Sequence, residues 1–440
     1  MRPLYFLLKF PLKVFLWVYY PRFRKINTPK KVFARTIYMS NHAASFMDPL
    51  TVAGTQLPII FFMTRSDIFT PLMRPILWAA HMFPIYRQHD GEDTKKKNEE
   101  VFEKCSRVLK SGRSLLMFSE GFTDDVFIRR LKPVKKGAVR MGFLALEKNK
   151  WKQKIFIQAV GVNYSEPNLL GSDCLVANGA PLCLNDFRLE YDADPNKTIH
   201  ILTLRLEQEM RDLITDIRDI EMAPFHENVM RLTRKGMNAI DVDKSISLFD
   251  RWKYSQRLGL WFNNTNVKDN TELMDLKKRL EKYFETLKEN KIEETPLFKV
   301  TSNNRKKALD VIYLIALSPL MIAGLIFSYI PYILIKSFVE NTMKRPVFWG
   351  SVKMLVGAVA VGVYNLILFF IVSKIFNVSY SMLLFFGLFA VTLSSVVAIN
   401  WWKTLKLHKK MNKVSSMDVS AISLERDLII SEIKKLIPVA

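Results

Sequence analysis

Carboxylates are scarce in this chain: 42 Asp and Glu stand against 65 Lys and Arg, a formal net charge of +23 over 440 residues. That imbalance leaves two large partner classes, nucleic acid and an anionic membrane surface, besides phosphate-bearing substrates. Cysteine is scarcer still. Cys105, Cys174 and Cys183 form an odd, sparse set with no C-x-x-C pair, which speaks against a disulfide framework and a zinc ribbon. They read as buried small residues. Only six histidines occur, and no ligand set surrounds them, so no metal is expected. No serine sits in a Gly-x-Ser-x-Gly elbow, and there is no internal repeat or low-complexity stretch.

Charge is missing altogether from residues 354–373 and 375–402. Each stretch can hold a spanning helix of about 20 residues. The predicted spans are 354–373 and 380–402, with Asn377, Ser379 and Ser381 marking the turn between them. Trp401 and Trp402 sit where an interfacial anchor belongs, and five lysines follow by Lys413. An earlier apolar run, 311–335, is broken by Pro319 and Pro331 and has basic flanks on both sides. A kinked or re-entrant hairpin fits it best, with a third span as the alternative. The positive-inside rule puts Lys336, Lys344, Arg345, Lys353 and the 403–440 tail on the cytoplasmic face. At the other end, Lys9, Pro11 and Lys13 interrupt the apolar residues of 1–28. That suits a segment lying in the membrane interface, or a helix packed on the domain.

Between these ends, short apolar runs alternate with amphipathic stretches. Strands are predicted at 36–40, 58–63, 114–118 and 155–162, and one or two more within 174–184. Helices are predicted at 93–110 and 133–147. The alternation implies an α/β layer with a buried sheet over 29–195. Residues 196–305 read as a helical extension with long amphipathic patterns at 198–217 and 271–290, the latter striped by Leu273, Leu276, Leu280, Phe284 and Leu287.

His42 has unusual company. It lies just after the 36–40 strand, beside Asn41, with Asp48 six residues on. An imidazole can take a proton near neutral pH, and a carboxylate can hold its tautomer and offset the imidazolium. A hydrogen-bonded structural histidine is the plain alternative. A second cluster, Phe118-Ser119-Glu120-Gly121, also follows a strand, and Arg129, Arg130, Lys132, Lys135 and Lys136 come next. Such cations can clamp a phosphate, or simply line a solvated helix start.

In order, these elements resemble the glycerolipid acyltransferase family over about residues 30–190. Asn41, His42 and Asp48 match its first motif. Phe83-Pro84-Ile85-Tyr86-Arg87 matches the second, Phe118 to Gly121 the third, and the strand ending near Tyr164 the fourth. Pro133 to Ala138, with Lys136 and Gly137, matches the segment after the third motif. There are departures. Five residues separate His42 from Asp48 where four are usual. Ser119 replaces a proline, Ala159 replaces a proline of the fourth motif, and His81 stands where glycine is common. Phe122-Thr123 replaces a Thr-Arg pair that supplies a phosphate-binding arginine.

The resemblance implies a mixed sheet flanked by helices that carries O-acyl transfer, with His42 as general base and Asp48 as its partner. Asn41, Arg87, Glu120, Gly121, Arg129, Arg130, Lys136 and Gly137 would bind substrate. Acyl-CoA or acyl carrier protein would be the donor, as co-substrate; no cofactor is implied. The acceptor would be glycerol-3-phosphate or a lysophospholipid such as 1-acylglycerol-3-phosphate, in phospholipid synthesis. The partners are then membrane lipids and these substrates. No nucleic acid is expected, because aromatic and basic residues are not interleaved as on a base-stacking surface. The expected location is a membrane, multi-pass, with the catalytic domain on the cytoplasmic face. Two rivals stand beside this reading: a hydrolase using Ser45 or Ser119, and a catalytically degenerate scaffold or lipid-binding relative.

Overall fold

The 36–40 run forms a strand because Ile37 and Met39 bury one face and Tyr38 the other, and all five residues of Thr36–Ser40 are buried. The computed structural model describes the chain except residues 1–2, 31–32, 57–59, 87–93 and 303–306. It divides into two compact units. The first comprises Met1–Trp17, Arg22–Tyr164 and Cys174–Arg218; the second, Val18–Pro21, Ser165–Asp173 and Asp219–Ala440.

In chain order the first elements are α1 (Pro3–Tyr19), β1 (Arg22–Ile26), β2 (Thr36–Ser40), α2 (Met47–Thr55), β3 (Ile60–Arg65), α3 (Arg74–Ala79), β4 (Met82–Ile85), α4 (Thr94–Lys110), β5 (Ser114–Phe118) and α5 (Gly137–Lys148). Then come β6 (Phe156–Tyr164), β7 (Asp173–Asn178), β8 (Leu182–Cys183), α6 (Arg188–Ala193) and α7 (Pro195–Asp212). The strands lie in the order β1-β7-β6-β2-β5-β3-β4, with β8 also paired to β6. β2 is parallel to β5 and β6, and β3 is parallel to β5 and β4, whereas β7 and β8 run antiparallel to β6. The sheet is mixed and flanked by helices, as the sequence pattern implied. Its parallel strands bring the residues after β2, β3 and β5 to one edge, where ligands of open α/β sheets bind.

Three domain limits need correction. The 1–28 segment is not separate from the domain, because β1 joins the sheet. α1 itself packs Leu12 and Leu16 over Gly54 of α2, a position where an added Cβ would come within 2.7 Å of Leu16. The extension does not begin at 196 either. α7 buries Ile199, Leu202, Leu206 and Met210 and belongs with the sheet. Its end tethers neighbouring loops: Asp216 accepts from Leu131 N–H at 2.7 Å, and Glu207 accepts from Val134 N–H at 3.2 Å.

The second unit is helical: α8 (Ala223–Thr233), α9 (Leu248–Asn264), α10 (Thr271–Glu289), α11 (Glu294–Thr301), α12 (Lys307–Ala316), α13 (Ser318–Gly324), α14 (Ile330–Thr342), α15 (Trp349–Phe376), α16 (Tyr380–Ser415) and α17 (Ser420–Leu436). In α10 the buried stripe uses Tyr283 instead of Phe284, whose ring carries the Arg231 guanidinium at 4.0 Å. The 403–440 region, expected as a tail, folds. α16 runs on to Ser415, and Arg426 of α17 donates to the buried Glu294 at 2.7 Å.

Three segments are long and apolar enough to cross a membrane: Ser318–Thr342, Pro346–Phe376 and Tyr380–Ser415. α15 and α16 turn back on each other at Asn377, which adopts a left-handed φ of 55°, and Phe369 meets Gly387. The stretch before them bends. A π-helical turn occupies Leu325–Tyr329, and Pro331 has no N–H for the Phe327 carbonyl four residues back. Asn365 of α15 fills that gap, donating to Phe327 O at 2.7 Å.

From this apex one limb follows α16: Ser328 meets Ser395 at 2.5 Å, Trp401 donates to Leu314 O at 2.7 Å, and Asp310 meets His408 at 2.9 Å. The other follows α15, ending with Glu340 against Lys353 at 3.0 Å. Both limbs therefore run towards the end of the α15–α16 pair that lies away from Asn377. Asn365→Ala leaves the Phe327 carbonyl unmet and is expected to cost about 1 kcal/mol, read as an earlier thermal inactivation of the detergent-solubilised chain.

Candidate active site

The geometry around His42 is built from backbone outward. β2 ends at Ser40, and Asn41 is fixed at once: its Nδ2 donates to Val162 O at 3.0 Å and its Oδ1 accepts from Val162 N–H at 2.8 Å. This amide is spent on β6, so Asn41 positions the strand end and does not reach for substrate. His42 follows. Its Nδ1 lies 3.1 Å from Asp48 Oδ2, which also accepts from Ala44 N–H at 2.9 Å. Asp48 is fully buried in the first turn of α2, and the five-residue spacer closes because Ala44 and Ser45 turn the chain, Ser45 with a φ of 50°. A carboxylate is an acceptor only, so Nδ1 donates and Nε2 carries the free lone pair. The imidazole stacks on Phe118 with centroids 4.2 Å apart and keeps 20% of its side-chain surface exposed.

Glu120 has a different task from the one expected. One carboxylate oxygen accepts from His42 N–H at 2.6 Å, and the other from Lys132 N–H at 3.3 Å. It is 2% exposed, and burial pushes its carboxyl above the usual range against these bonds. It ties the histidine loop to the basic loop. Glu120→Gln sets an NH₂ against one of these N–H groups. A loss of about 1–3 kcal/mol in stability is expected, measured as a lowered melting midpoint of the solubilised protein. Gly121 takes a φ of 82°, and Lys135 lies across it, within 2.6 Å of where a Cβ would stand.

The two arginines after this motif also face protein. Arg130 grips Asp124 through Nε and Nη2, at 3.1 and 2.6 Å. Arg129 donates to Tyr164 O and lies 5.0 Å from the Phe127 ring centroid. Burial works against the Asp124 charge, yet Arg130 and Lys132 hold its carboxyl below the usual range. Arg129 and Arg130 thus brace the loop. The exposed cations here are Lys135 and Lys136. Lys136 stands at the start of α5 with no side-chain capping bond, and at Gly137 an added side chain would meet nothing within 4 Å. The sequence marks Lys135 only as one of several cations able to clamp a phosphate; its adjacency to Gly121 depends on the fold. Arg87 lies outside the described residues.

Neither serine of the hydrolase reading bonds to His42. Ser119 Oγ is buried with no hydrogen-bond partner, and no bond joins Ser45 to the imidazole among the described residues. Among these residues no group of His, Cys, Asp and Glu is arranged to hold a metal ion.

Residues 24–162 match the Acyltransferase family model, and they contain β2, His42, Asp48, Glu120 and most of β6. This segment is a glycerolipid acyltransferase domain. It makes the chain an O-acyltransferase, an enzyme that takes an acyl donor and an acceptor. No curated protein matches the chain. The acyltransferase domain begins within β1, so α1 precedes it, and β7, α6 and α7 complete the unit beyond it.

Proposed function

We propose that the chain transfers a fatty acyl group from acyl-CoA or acyl carrier protein to the hydroxyl of glycerol-3-phosphate or a lysophospholipid such as 1-acylglycerol-3-phosphate, at a membrane, in phospholipid synthesis. The observation that carries this reading is the His42–Asp48 pair at 3.1 Å beside exposed lysines. His42 Nε2 takes the hydroxyl proton as the oxygen attacks the thioester carbon, and Asp48 offsets the imidazolium charge. The tetrahedral intermediate collapses with release of thiolate, and the imidazolium returns the proton to that sulfur. Lys135, Lys136 and the first N–H groups of α5 hold the acceptor phosphate, with Arg87 as a further cation. No metal or redox step is called for by this chemistry.

α15 and α16 cross the bilayer, and 307–342 enters and leaves by one face as a bent hairpin. Both its flanks, and the end of α16, are basic, which puts them and the catalytic domain in the cytoplasm. The deciding assay supplies labelled acyl-CoA, or acyl carrier protein, to membranes carrying the chain. Glycerol-3-phosphate, 1-acylglycerol-3-phosphate and dihydroxyacetone phosphate are offered in turn, and products are identified by mass spectrometry. One of the first two acceptors should be acylated. No product with any acceptor would favour the degenerate scaffold.

A further inference from the structure

An exposed apolar surface begins at the sheet edge that carries His42 and runs along α3 towards the opposite edge, where His81 pairs beside Phe62. β2, β5 and β3 are adjacent and parallel, so the chain leaves β3 at Arg65 from the same edge as the His42 and Glu120 loops. Across the next turns Leu72 is 81% exposed, Ile76 51% and Trp78 56%, with Met73 exposed as well, while Leu77 and Ala79 alone are buried. A soluble unit seldom displays such a run, because each side chain orders water at a cost. α1 adds a matching face. Phe10, Lys13 and Trp17 point outward at helical spacing, opposite the buried Tyr5 and Leu16, and Tyr5 stacks on His81 just after α3, with centroids 4.4 Å apart.

The chemistry of this surface selects its occupant. From Ile68 to Tyr86 there is no carboxylate, while Arg74 beside the exposed apolar residues is cationic. Bulky aliphatics and tryptophan beside arginine or lysine match an anionic lipid leaflet, where the apolar parts enter hydrocarbon and the cations meet headgroups. We infer that the segment Leu72–Trp78, with the outer face of α1, inserts into the leaflet and holds the catalytic unit at the lipid surface from which it draws its substrates. This rests on the membrane reading given above. It assigns a second attachment, distinct from α15 and α16, that acts on substrate access.

The test uses the full chain in phosphatidylcholine–phosphatidylglycerol vesicles. Leu72→Cys or Ile76→Cys is labelled with a polarity-sensitive fluorophore in a Cys183→Ser background, since Cys105 and Cys174 are buried. Lys110→Cys is the aqueous control and Val363→Cys, on α15, the hydrocarbon control. Lipids carrying a nitroxide on the acyl chain should quench probes at 72, 76 and 363 and spare that at 110. If 363 is quenched and 72 and 76 are not, the inference fails while the membrane reading stands. If 363 is not quenched, both fall. Probes at 72 and 76 that are shielded from water yet indifferent to nitroxide lipid would place a protein there and overturn it. The double variant Leu72→Ser/Ile76→Ser should raise KM about tenfold for a long-chain lysophospholipid and leave a water-soluble short-chain acceptor unchanged; equal effects on both would count against it.

Discussion

His42→Ala is expected to lower acyl transfer by about 10²–10⁴-fold while the protein stays folded. The side chain is one-fifth exposed and its ring is not part of the buried core, so its loss removes chemistry more than packing. What remains in place is the surrounding frame: Asn41 on Val162, and Glu120 on the backbone N–H of residue 42, which alanine keeps. Asp48→Asn separates the base from its support. The amide retains the volume, and its oxygen can keep the bonds that Oδ2 accepts from Nδ1 and Ala44 N–H, but it carries no charge to offset the imidazolium. Its loss should fall within the same range or somewhat below, mainly in kcat. Rates come from single-acceptor assays on membranes with protein amounts equalised, and folding is checked by size-exclusion profile. Equal product from wild type and His42→Ala would mean that the base lies elsewhere.

The second large effect concerns stability. Arg251 of α9 donates to Asp173 Oδ2 at 2.8 Å, and the two side chains are 1% and 0% exposed. Removing one partner leaves the other charge buried without this bond, which costs about 3–5 kcal/mol. Arg251→Ala should therefore melt the solubilised protein many degrees lower, or prevent its accumulation. Arg251→Met with Asp173→Leu removes both charges and roughly keeps their volume, so it should recover most of that loss. A single variant as stable as wild type would show that the pair contributes nothing. Both residues look ordinary in the sequence; their coupling across 78 positions exists only once α9 packs on the 165–173 segment.

The sequence by itself determined the strands and helices whose periodicity is strong. β2, β5 and α4 stand where their apolar spacing put them, because a residue-by-residue alternation or a helical stripe is a local property. It also marked the charge-free stretches, since desolvating charge in hydrocarbon is costly wherever it occurs, and it singled out His42 with Asp48. The tertiary structure decided what those residues touch. Glu120, Arg129 and Arg130 carry the charges of a substrate clamp, yet their partners turn out to be backbone groups and Asp124, because unmet donors and acceptors near the sheet edge must be satisfied first. Likewise β1 had no readable pattern in RFRKI; an edge strand gains its order from the neighbour that pairs with it. The bend at Pro331 could be read locally, but the Asn365 donor that stabilises it lies 38 residues beyond Phe327, whose carbonyl it meets. Spacing along the chain fixes local conformation, whereas hydrogen-bond partners and buried charges depend on distances that only folding sets.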